Sequence, residues 1–304
     1  MKDELILIRY GEIALKSEET RNRFENSLIT NIKNAMNSQN ITCKIKKERG
    51  RIFLYSQKIC ECKSILKRIF GIVSFSPSIK IPSEMDSILE VSLEISKNFI
   101  NKENSFALKV SRTGVHTFSS QDVAIKVGED IVNLTKTKVD LNNPDFEIFI
   151  EIRDKTSYVF TEKIPGMGGM PVATQGKVMA LITDIQSLLA AWFILRRGCS
   201  IFFAILDDKN IDMINSFADT WFLNKDNLLI HVTKDKMLED LNIKAKEKKC
   251  DAIVTGISLF GKNESELSKL ISLKRQIDFP VLHPLIAMDI NQIINKCKEI
   301  GIKK

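Results

Sequence analysis

The sequence predicts two α+β modules followed by an α/β domain whose parallel sheet is covered by helices on both faces. Strands and helices in the order βαββαβ fill residues 1–80, and a second mixed set fills residues 81–165. From residue 177 onward, apolar strands alternate regularly with helical segments. With 304 residues, of which 44% are hydrophobic, the chain is long enough for two or three globular domains.

The N-terminal module begins with a strand over residues 4–10, and apolar residues spaced three or four apart predict a helix over 18–37. Two further strands flank Glu48-Arg49-Gly50, which has the composition of a hairpin turn. A short helix and a fourth strand complete the order βαββαβ. This order predicts a ferredoxin-like domain over residues 1–80.

The second module contains helices predicted over 84–100 and 120–137, with strands between and after them. The stretch that follows, PGMGGMPVATQG, is the glycine-dense segment of the chain and predicts a linker over residues 166–176. A phosphate loop is a poor explanation of these glycines, because no G-x-G-x-x-G spacing and no following helix accompany them.

The C-terminal domain, residues 177–304, has the pattern of a doubly wound parallel sheet. Its first strand, VMALI, is followed by a tight turn and by an apolar helix over 185–197 that Gly198 closes. In such sheets, ligands bind beyond the carboxyl ends of the strands. The turn at 182–187 lies at such an end, which makes it a candidate nucleotide-binding loop.

Positive charge is concentrated at the start of the chain. Residues 1–80 carry 16 lysines and arginines against 8 aspartates and glutamates, whereas residues 81–165 carry 10 against 14. An RNA is therefore a candidate partner for the first module. The alternative, a basic surface that only keeps the protein soluble, is about as well supported by charge alone.

Three groups of cations are candidates for RNA contact. In the hairpin, strand alternation sends Lys44 and Lys46 to one face and Lys47 to the other. Contacts of this kind go mainly to phosphates, so binding would be sensitive to salt. The candidate residues are Arg9, Lys16, Lys44, Lys46, Lys47, Arg49, Arg51, Lys109, Arg112 and Lys126.

Other classes of site and location have little support. Six scattered cysteines form no CxxC pair and only three histidines are present, so no metal site is predicted. No catalytic residue is predicted either, because the histidines are isolated and G-x-S-x-G is absent. Free thiols in a reducing cytoplasm are expected. No apolar run reaches the length of a membrane span, and no signal peptide is visible.

Two stretches of the sequence resemble the tRNA 4-thiouridine synthetases, which are tRNA sulfurtransferases. The first is RYGEI at residues 9–13, followed by Lys16 and by RNRFE. The second runs from VDLNNPDFEIFIEIR through the glycine-dense linker. A third stretch, PVLHPLIAMD at 280–289, is similar to a late segment of the same family. The resemblance therefore extends over nearly the whole chain.

The resemblance implies a ferredoxin-like domain, a THUMP domain over 81–165 and a PP-loop adenylating domain over 177–304. It implies that residues 1–165 bind the acceptor region of tRNA and that the protein is a homodimer. In active members of the family, the PP-loop domain uses ATP to adenylate a uridine of the tRNA, and a cysteine persulfide then delivers sulfur.

The candidate nucleotide loop departs from the family pattern. The family reads Ser-Gly-Gly-(Ile/Phe)-Asp-Ser, whereas this chain has Ile-Thr-Asp-Ile-Gln-Ser at 182–187. Thr183 and Asp184 stand in place of the glycines and Gln186 replaces the acid, while Ser187 keeps its type. A phosphate loop needs free backbone N–H groups in conformations that glycine allows. Asp184 would instead cap the helix with its carboxylate. We therefore expect that the ATP site is lost and that no cofactor is bound.

The resulting hypothesis is a tRNA-binding protein with a degenerate PP-loop, whose C-terminal domain mediates dimer contacts or docks an active tRNA-modifying partner. One alternative is an active tRNA sulfurtransferase with a rearranged site, for which Cys250 or Cys297 would carry the persulfide instead of being a buried thiol. A second alternative is a scaffold that acts through a protein partner and does not contact RNA.

Overall fold

The computed structural model describes residues 3–48, 50–226, 228–259 and 265–302. The chain divides into two compact units, and each is made of segments that are separate in sequence. The first unit comprises Met1–Arg9, Ile41–Lys63 and Ser74–Pro165, and the second comprises Tyr10–Asn40, Ser64–Val73 and Gly166–Lys304.

Nine α-helices lie in the described ranges. They are α1 (Glu18–Ser38), α2 (Ile59–Leu66), α3 (Met85–Phe99), α4 (Ser120–Thr135), α5 (Ile185–Arg196), α6 (Ile211–Thr220), α7 (Met237–Glu247), α8 (Ser265–Gln276) and α9 (Ile290–Ile300). Short 3-10 turns occur at Glu12–Leu15 and Asp208–Asn210.

A nine-stranded sheet forms the framework of the first unit. Its strands are β1 (Asp3–Tyr10), β2 (Lys44–Glu48), β3 (Arg51–Tyr55), β4 (Ile72–Pro82), β5 (Ser105–Thr113), β6 (Lys138–Val139), β7 (Phe146–Arg153), β8 (Thr156–Phe160) and β9 (Ile164–Pro165). The main path runs β2-β3-β1-β4-β8-β7-β5-β6, and β9 pairs with β4. In a ferredoxin-like βαββαβ sheet, the first and third strands lie side by side and the second and fourth strands lie outside them. The order β2-β3-β1-β4 therefore confirms the predicted arrangement.

The predicted hairpin is confirmed. β2 and β3 are antiparallel, with Lys44 opposite Tyr55 and Glu48 opposite Arg51. Directly opposite residues share a face, so Lys44 and Lys46 lie on the face of Arg51 and Lys47 lies on the other, as predicted. Arg49, one of the candidate RNA-binding residues, lies outside the described residues.

Helices α3 and α4 cover one face of the sheet in the second module. A capping box begins α4, because Ser119 Oγ accepts from Asp122 N at 3.1 Å and the Asp122 carboxylate accepts from Ser119 N at 2.8 Å. The helix ends two residues before its predicted end, where Lys136 turns into the left-handed region with φ 57°. The buried residues of this core include Ile88, Val91, Val123, Val127, Ile131, Ile148, Ile150, Ile152 and Val159.

The opposite face of the sheet is concave. Phe53 on β3 stacks on Tyr158 of β8 with ring centroids 4.8 Å apart, although β1 and β4 lie between these strands. Strands so far apart in a sheet can touch only if the sheet twists and curls over. The two rings form a small buried core with Leu5 and Leu7. The curl brings residues of β1, β3 and β7 together, and this positions the candidate site.

The second unit contains a parallel five-stranded sheet in the order β12-β11-β10-β13-β14. Its strands are β10 (Lys177–Ile182), β11 (Ser200–Ile205), β12 (Leu229–His231), β13 (Ala252–Val254) and β14 (Val281–Leu282). This order confirms the predicted doubly wound sheet. The first strand in sequence, β10, lies at its centre, and the strand order reverses beside it. Ligands bind at this point in sheets of this class.

Two elements of the second unit were not predicted. β14 has only two residues, which is too short to produce a strand pattern. α8 leaves Leu267 and Ile271 exposed, so its sequence lacks the contrast between a buried and a solvated face that marks a helix. Both elements depend on tertiary contacts rather than on local sequence.

Candidate nucleic-acid groove and phosphate loop

A groove of about 780 Å³ runs from the concave face of the first unit around β5 to the start of α4, where Leu108, Val110 and Ser120 line it. Four cationic side chains line it, three of them on strands that are far apart in sequence, and one carboxylate lies among them. The groove also contains two phenylalanine rings. The residues concerned are Arg9, Arg51, Lys109, Lys163, Glu151, Phe149 and Phe160.

Glu151 is the centre of a cluster of arginines. Its carboxylate lies 2.8 Å from Nε of Arg51, 3.3 Å from Nη1 of Arg153 and 3.5 Å from Nη2 of Arg9. The Glu151 side chain is 8% exposed, so water screens these pairs weakly. Arg9 also donates to Ser76 Oγ at 2.9 Å. Of these three arginines, Arg9 and Arg51 line the groove, and with Lys109 and Lys163 they give its lining four cations against the one carboxylate of Glu151.

The aromatic residues fix the position of Arg9. Phe149 and Phe160 stack in parallel with ring centroids 5.1 Å apart, and the Arg9 guanidinium lies 4.8 Å from the centre of the Phe160 ring. Because Arg9 is held by Glu151, Ser76 and Phe160, it cannot reach far toward a ligand. Its part in the groove is to supply fixed positive charge.

The more exposed cations of the groove are free to adjust. Lys109 on β5 is 45% exposed and its Nζ lies 3.8 Å from a carboxylate oxygen of Glu147, which is a weak surface pair. Lys44 and Lys46 on β2 do not line the groove but share the face of Arg51, and the Lys46 ammonium lies 5.7 Å from the centre of the Tyr55 ring.

The other candidate cations lie away from this groove. Lys47 is on the opposite face of β2. Arg112, at the end of β5, donates to the carbonyl oxygen of Gly114, and Lys126 pairs with Asp130 along α4. Lys16 belongs to the second unit, at the end of a 3-10 turn.

Sequence reasoning missed Arg153 and Lys163. Alternation along FEIFIEIR places Phe149, Glu151 and Arg153 on one face of β7, and this pattern was available in the sequence. No comparable signal marks Lys163, since it lies between β8 and β9, where no strand alternation assigns its side chain to a face.

The residues of the RYGE stretch have separate structural partners. Arg9 binds Glu151 in the first unit. In the second unit, the Tyr10 hydroxyl donates to the buried carboxylate of Glu25 on α1, and Glu12 accepts two hydrogen bonds from Arg197 at 3.0 and 3.2 Å. This stretch therefore contributes to the fold through at least three side chains.

The candidate nucleotide loop lies at the carboxyl end of the central strand β10. Asp184 caps α5, because its Oδ1 accepts from the backbone N of Ser187 at 2.9 Å. Ser187 Oγ in turn accepts from the backbone N of Thr183 and of Asp184, both at 3.0 Å, and donates to Asp184 O at 2.6 Å. Side chains of the loop thus satisfy three of its backbone N–H groups, while Gln186 is half-buried in the first turn.

A second segment of backbone packs on the same helix end. A Cβ atom on Gly256, just after β13, would lie 2.5 Å from the backbone N of Ser187 and 2.9 Å from the carbonyl carbon of Gln186. Gly256 therefore covers the first turn of α5 at a distance that only glycine allows. A second backbone segment therefore lies against the N-terminus of α5.

Replacing Ser187 with alanine is expected to lower the free energy of unfolding by about 1–3 kcal/mol, because the backbone N–H groups of Thr183 and Asp184 lose the buried hydroxyl that accepts their hydrogen bonds. Urea unfolding followed by circular dichroism measures this. Ser17 is the matched control, since its hydroxyl gives α1 no side-chain cap hydrogen bond. A Ser187→Ala change no larger than that of Ser17→Ala would contradict the closed-loop geometry.

Neither cysteine considered for sulfur transfer has a reactive environment. Burial raises the pKa of Cys250 to about 11, so its thiolate is scarce at neutral pH. Burial, and then the charge of the Asp184 carboxylate, raise the pKa of Cys297. Within the described part of the chain, no group of three histidine, cysteine, aspartate or glutamate side chains is placed to hold a metal ion.

Three family models match the chain. The ThiI ferredoxin-like domain matches residues 5–76, the THUMP domain matches 82–162, and the thiamine biosynthesis protein (ThiI) model matches 211–304. Curated relatives match over almost the full length. The chain is 32% identical to a probable tRNA sulfurtransferase of Methanobrevibacter smithii, with 99% of this chain and 87% of the relative covered.

This chain belongs to the tRNA sulfurtransferase family. A second member, the probable tRNA sulfurtransferase of Methanocaldococcus jannaschii, is 34% identical, with 97% of this chain and 87% of the relative covered. The alignment to the M. smithii sulfurtransferase runs over 337 positions, more than the length of this chain, so that relative carries residues with no counterpart here.

Solved structures agree with this tRNA sulfurtransferase fold. A crystal structure of a Pyrococcus horikoshii protein superposes with a TM-score of 0.85 at 28% identity, covering 98% of this chain and 99% of that one. A crystal structure of a 4-thiouridine synthetase in complex with RNA and ATP superposes with a TM-score of 0.80 at 24% identity, covering 98% of this chain and 85% of that one. No helix among the described residues is long and apolar enough to span a membrane.

Proposed function

We propose that this member of the tRNA sulfurtransferase family binds tRNA through the cationic groove of its first unit and has lost the use of ATP. The observation that carries the RNA half of the proposal is the cluster around Glu151, where Arg9 and Arg51 share one carboxylate in a groove that Lys109 and Lys163 also line. Its relatives are named for an action on tRNA. Fixed guanidinium groups beside aromatic rings suit a phosphate backbone with unstacked bases.

The acceptor region is the part of tRNA that we assign to the groove. An end of RNA with unpaired bases can enter a concave surface and stack against Phe149, whereas a long duplex cannot. Trimming the unpaired 3′ nucleotides from a tRNA is therefore expected to weaken binding. Affinities measured for intact and trimmed tRNA at one salt concentration test this, and equal affinities would contradict it.

The ATP half of the proposal rests on the loop at the end of β10. A nucleotide-binding loop presents its backbone N–H groups to phosphate. Here Ser187 and Asp184 accept the hydrogen bonds of three such groups, and Gly256 packs on the same helix end. The negative charge of Asp184 also repels a triphosphate. The matched range of the ThiI model, 211–304, does not include this loop.

Titration calorimetry with ATP and Mg²⁺ tests the loss of the ATP site. We expect no binding heat at ATP concentrations up to about 1 mM, where a weak site with a binding free energy near 4 kcal/mol would still be detected. Binding at that level or tighter, or ordered phosphates at the N–H groups of residues 184–187 in ATP-soaked crystals, would contradict the proposal.

An active tRNA sulfurtransferase is the second candidate function, and the identity of 32–34% to relatives of that name favours it. ATP-dependent incorporation of sulfur into tRNA by the purified protein would establish it. A homodimer in the cytoplasm remains part of our main proposal, with the second unit available to dock an active tRNA-modifying partner. Light scattering of the purified protein tests the dimer.

A further inference from the structure

β5 is an open edge of the sheet over most of its length. β6 pairs only with Ser105 and Phe106, whereas β7 pairs with β5 as far as Thr113. Within the described ranges, no other strand pairs with β5 on the β6 side. Arg112 and Thr113 are exposed, so the edge is accessible to solvent.

The hydrogen-bonding groups of this edge point outward in a regular pattern. The carbonyl oxygen of Phe106 accepts from Asp140 N at 3.0 Å, so the backbone groups of Phe106 face the β6 side. Because the N–H and C=O groups of alternate residues in a strand point to the same side, those of Leu108, Val110 and Arg112 also face the open edge. These backbone N–H and C=O groups are therefore placed to form hydrogen bonds with an added strand.

An apolar groove of about 480 Å³ runs beside the edge, between α4 and the end of β6. Three of its large apolar side chains are more than half exposed, namely Ile125, Val139 and Leu141. Leu108 lines the groove from β5, and Gly128 on α4 leaves room beside it. A strand added to β5 would place every second side chain in this groove.

The cations on the edge strand itself, Lys109 and Arg112, favour an acidic occupant, although Glu147 pairs with Lys109 and Glu129 lines the apolar groove. Lys109 lies on the face opposite to Leu108, toward the cationic groove of the first unit, and Arg112 stands at the end of the edge. Cations on an edge strand oppose pairing with a second copy, because like charges would then meet. They attract a strand that carries carboxylates at the facing positions.

We propose that the β5 edge binds an extended segment of a protein partner as an added strand. In this complex, apolar side chains of the segment enter the groove beside α4, and acidic side chains alternate with them toward Lys109. The main-chain hydrogen bonds supply affinity and the groove supplies selectivity, as in other cases of strand addition. The proposal rests on neither the loss of ATP nor tRNA binding, but Leu108, Lys109 and Val110 of this edge also line the groove assigned to tRNA, so the segment and tRNA would compete for Lys109.

The probe is a fluorescein-labelled peptide of alternating glutamate and leucine, compared with a peptide of the same composition in which the leucines are contiguous. The deciding variant is Val110→Pro, which removes an N–H that points to the open edge and leaves the hydrogen bonds to β7 intact. Val110→Ala keeps that N–H and is the matched control.

Fluorescence anisotropy is expected to show that the alternating peptide binds at least about tenfold more tightly than the contiguous one. Val110→Pro should weaken its binding by about tenfold or more, whereas Val110→Ala should change it by less than about threefold. If Val110→Pro unfolds, Leu141→Glu replaces it, because Leu141 is 66% exposed and its replacement spares the core.

Equal binding of the two peptides, or no effect of Val110→Pro and Leu141→Glu, would overturn the proposal. A drop in tRNA affinity in Val110→Pro without any peptide binding would also overturn it, and would assign the edge to the RNA surface instead. The expected result is weakened peptide binding, with tRNA affinity unchanged in Leu141→Glu, because Leu141 does not line the groove assigned to tRNA.

Discussion

Replacing Lys109 and Lys163 together with glutamate is expected to weaken tRNA binding by about 10–100-fold at about 0.1 M salt. Both residues line the groove, and Lys109 is exposed enough to meet a phosphate directly. Each phosphate that no longer binds a lysine keeps its condensed counterion instead of releasing it. The slope of log affinity against log salt should therefore fall by about 1.4–1.8.

The control for this pair is Lys234→Glu with Lys246→Glu. These two lysines are exposed in the second unit and give the same change in net charge. Their replacement is expected to change tRNA affinity by less than about threefold, since exposed charges that do not line the groove are screened by salt. An equal decrease of affinity in both double variants would show that total charge, rather than the groove, governs binding.

Replacing Glu151 with alanine is expected to lower the free energy of unfolding by about 3–5 kcal/mol. The change removes the carboxylate that Arg9 and Arg51 share, and the Arg9 side chain is only 11% exposed. Uncompensated charges in a buried place repel one another and are poorly solvated. Urea unfolding of the full chain, followed by circular dichroism, measures the decrease.

Glu147→Ala is the matched control for Glu151→Ala. Glu147 lies on the same face of β7, but it is 38% exposed and pairs only with the exposed Lys109. Its removal is expected to cost less than about 1 kcal/mol. If Glu151→Ala were no more destabilising than this control, the arginine cluster would not be an element of the folded structure.

The sequence predicted those elements whose signal is local. The turn residues predict the β2–β3 hairpin, and the apolar run between β10 and β11 predicts helix α5. The role of Asp184 as a helix cap was also readable, because the residue type and its position before α5 determine it. In each case, residues that are neighbours in sequence are enough to predict the element.

The groove could be predicted only in part, because it depends on the curl of the sheet. Arg9 and Arg51 were candidates from their charge, but no local pattern brings them both to Glu151 on a strand 100 residues or more away in sequence. The acceptor role of Ser187 was likewise missed. It requires the three-dimensional turn that places Thr183 N and Asp184 N around one hydroxyl.

Binding of tRNA in the groove, independent of ATP, can be tested directly. The measurement is the equilibrium affinity of the purified protein for intact tRNA across a salt series, with ATP and Mg²⁺ present or absent. We expect affinity to fall steeply with salt and to be the same with and without ATP. Binding that requires ATP or is strengthened by it, or a failure to bind tRNA at low salt, would contradict the proposed function.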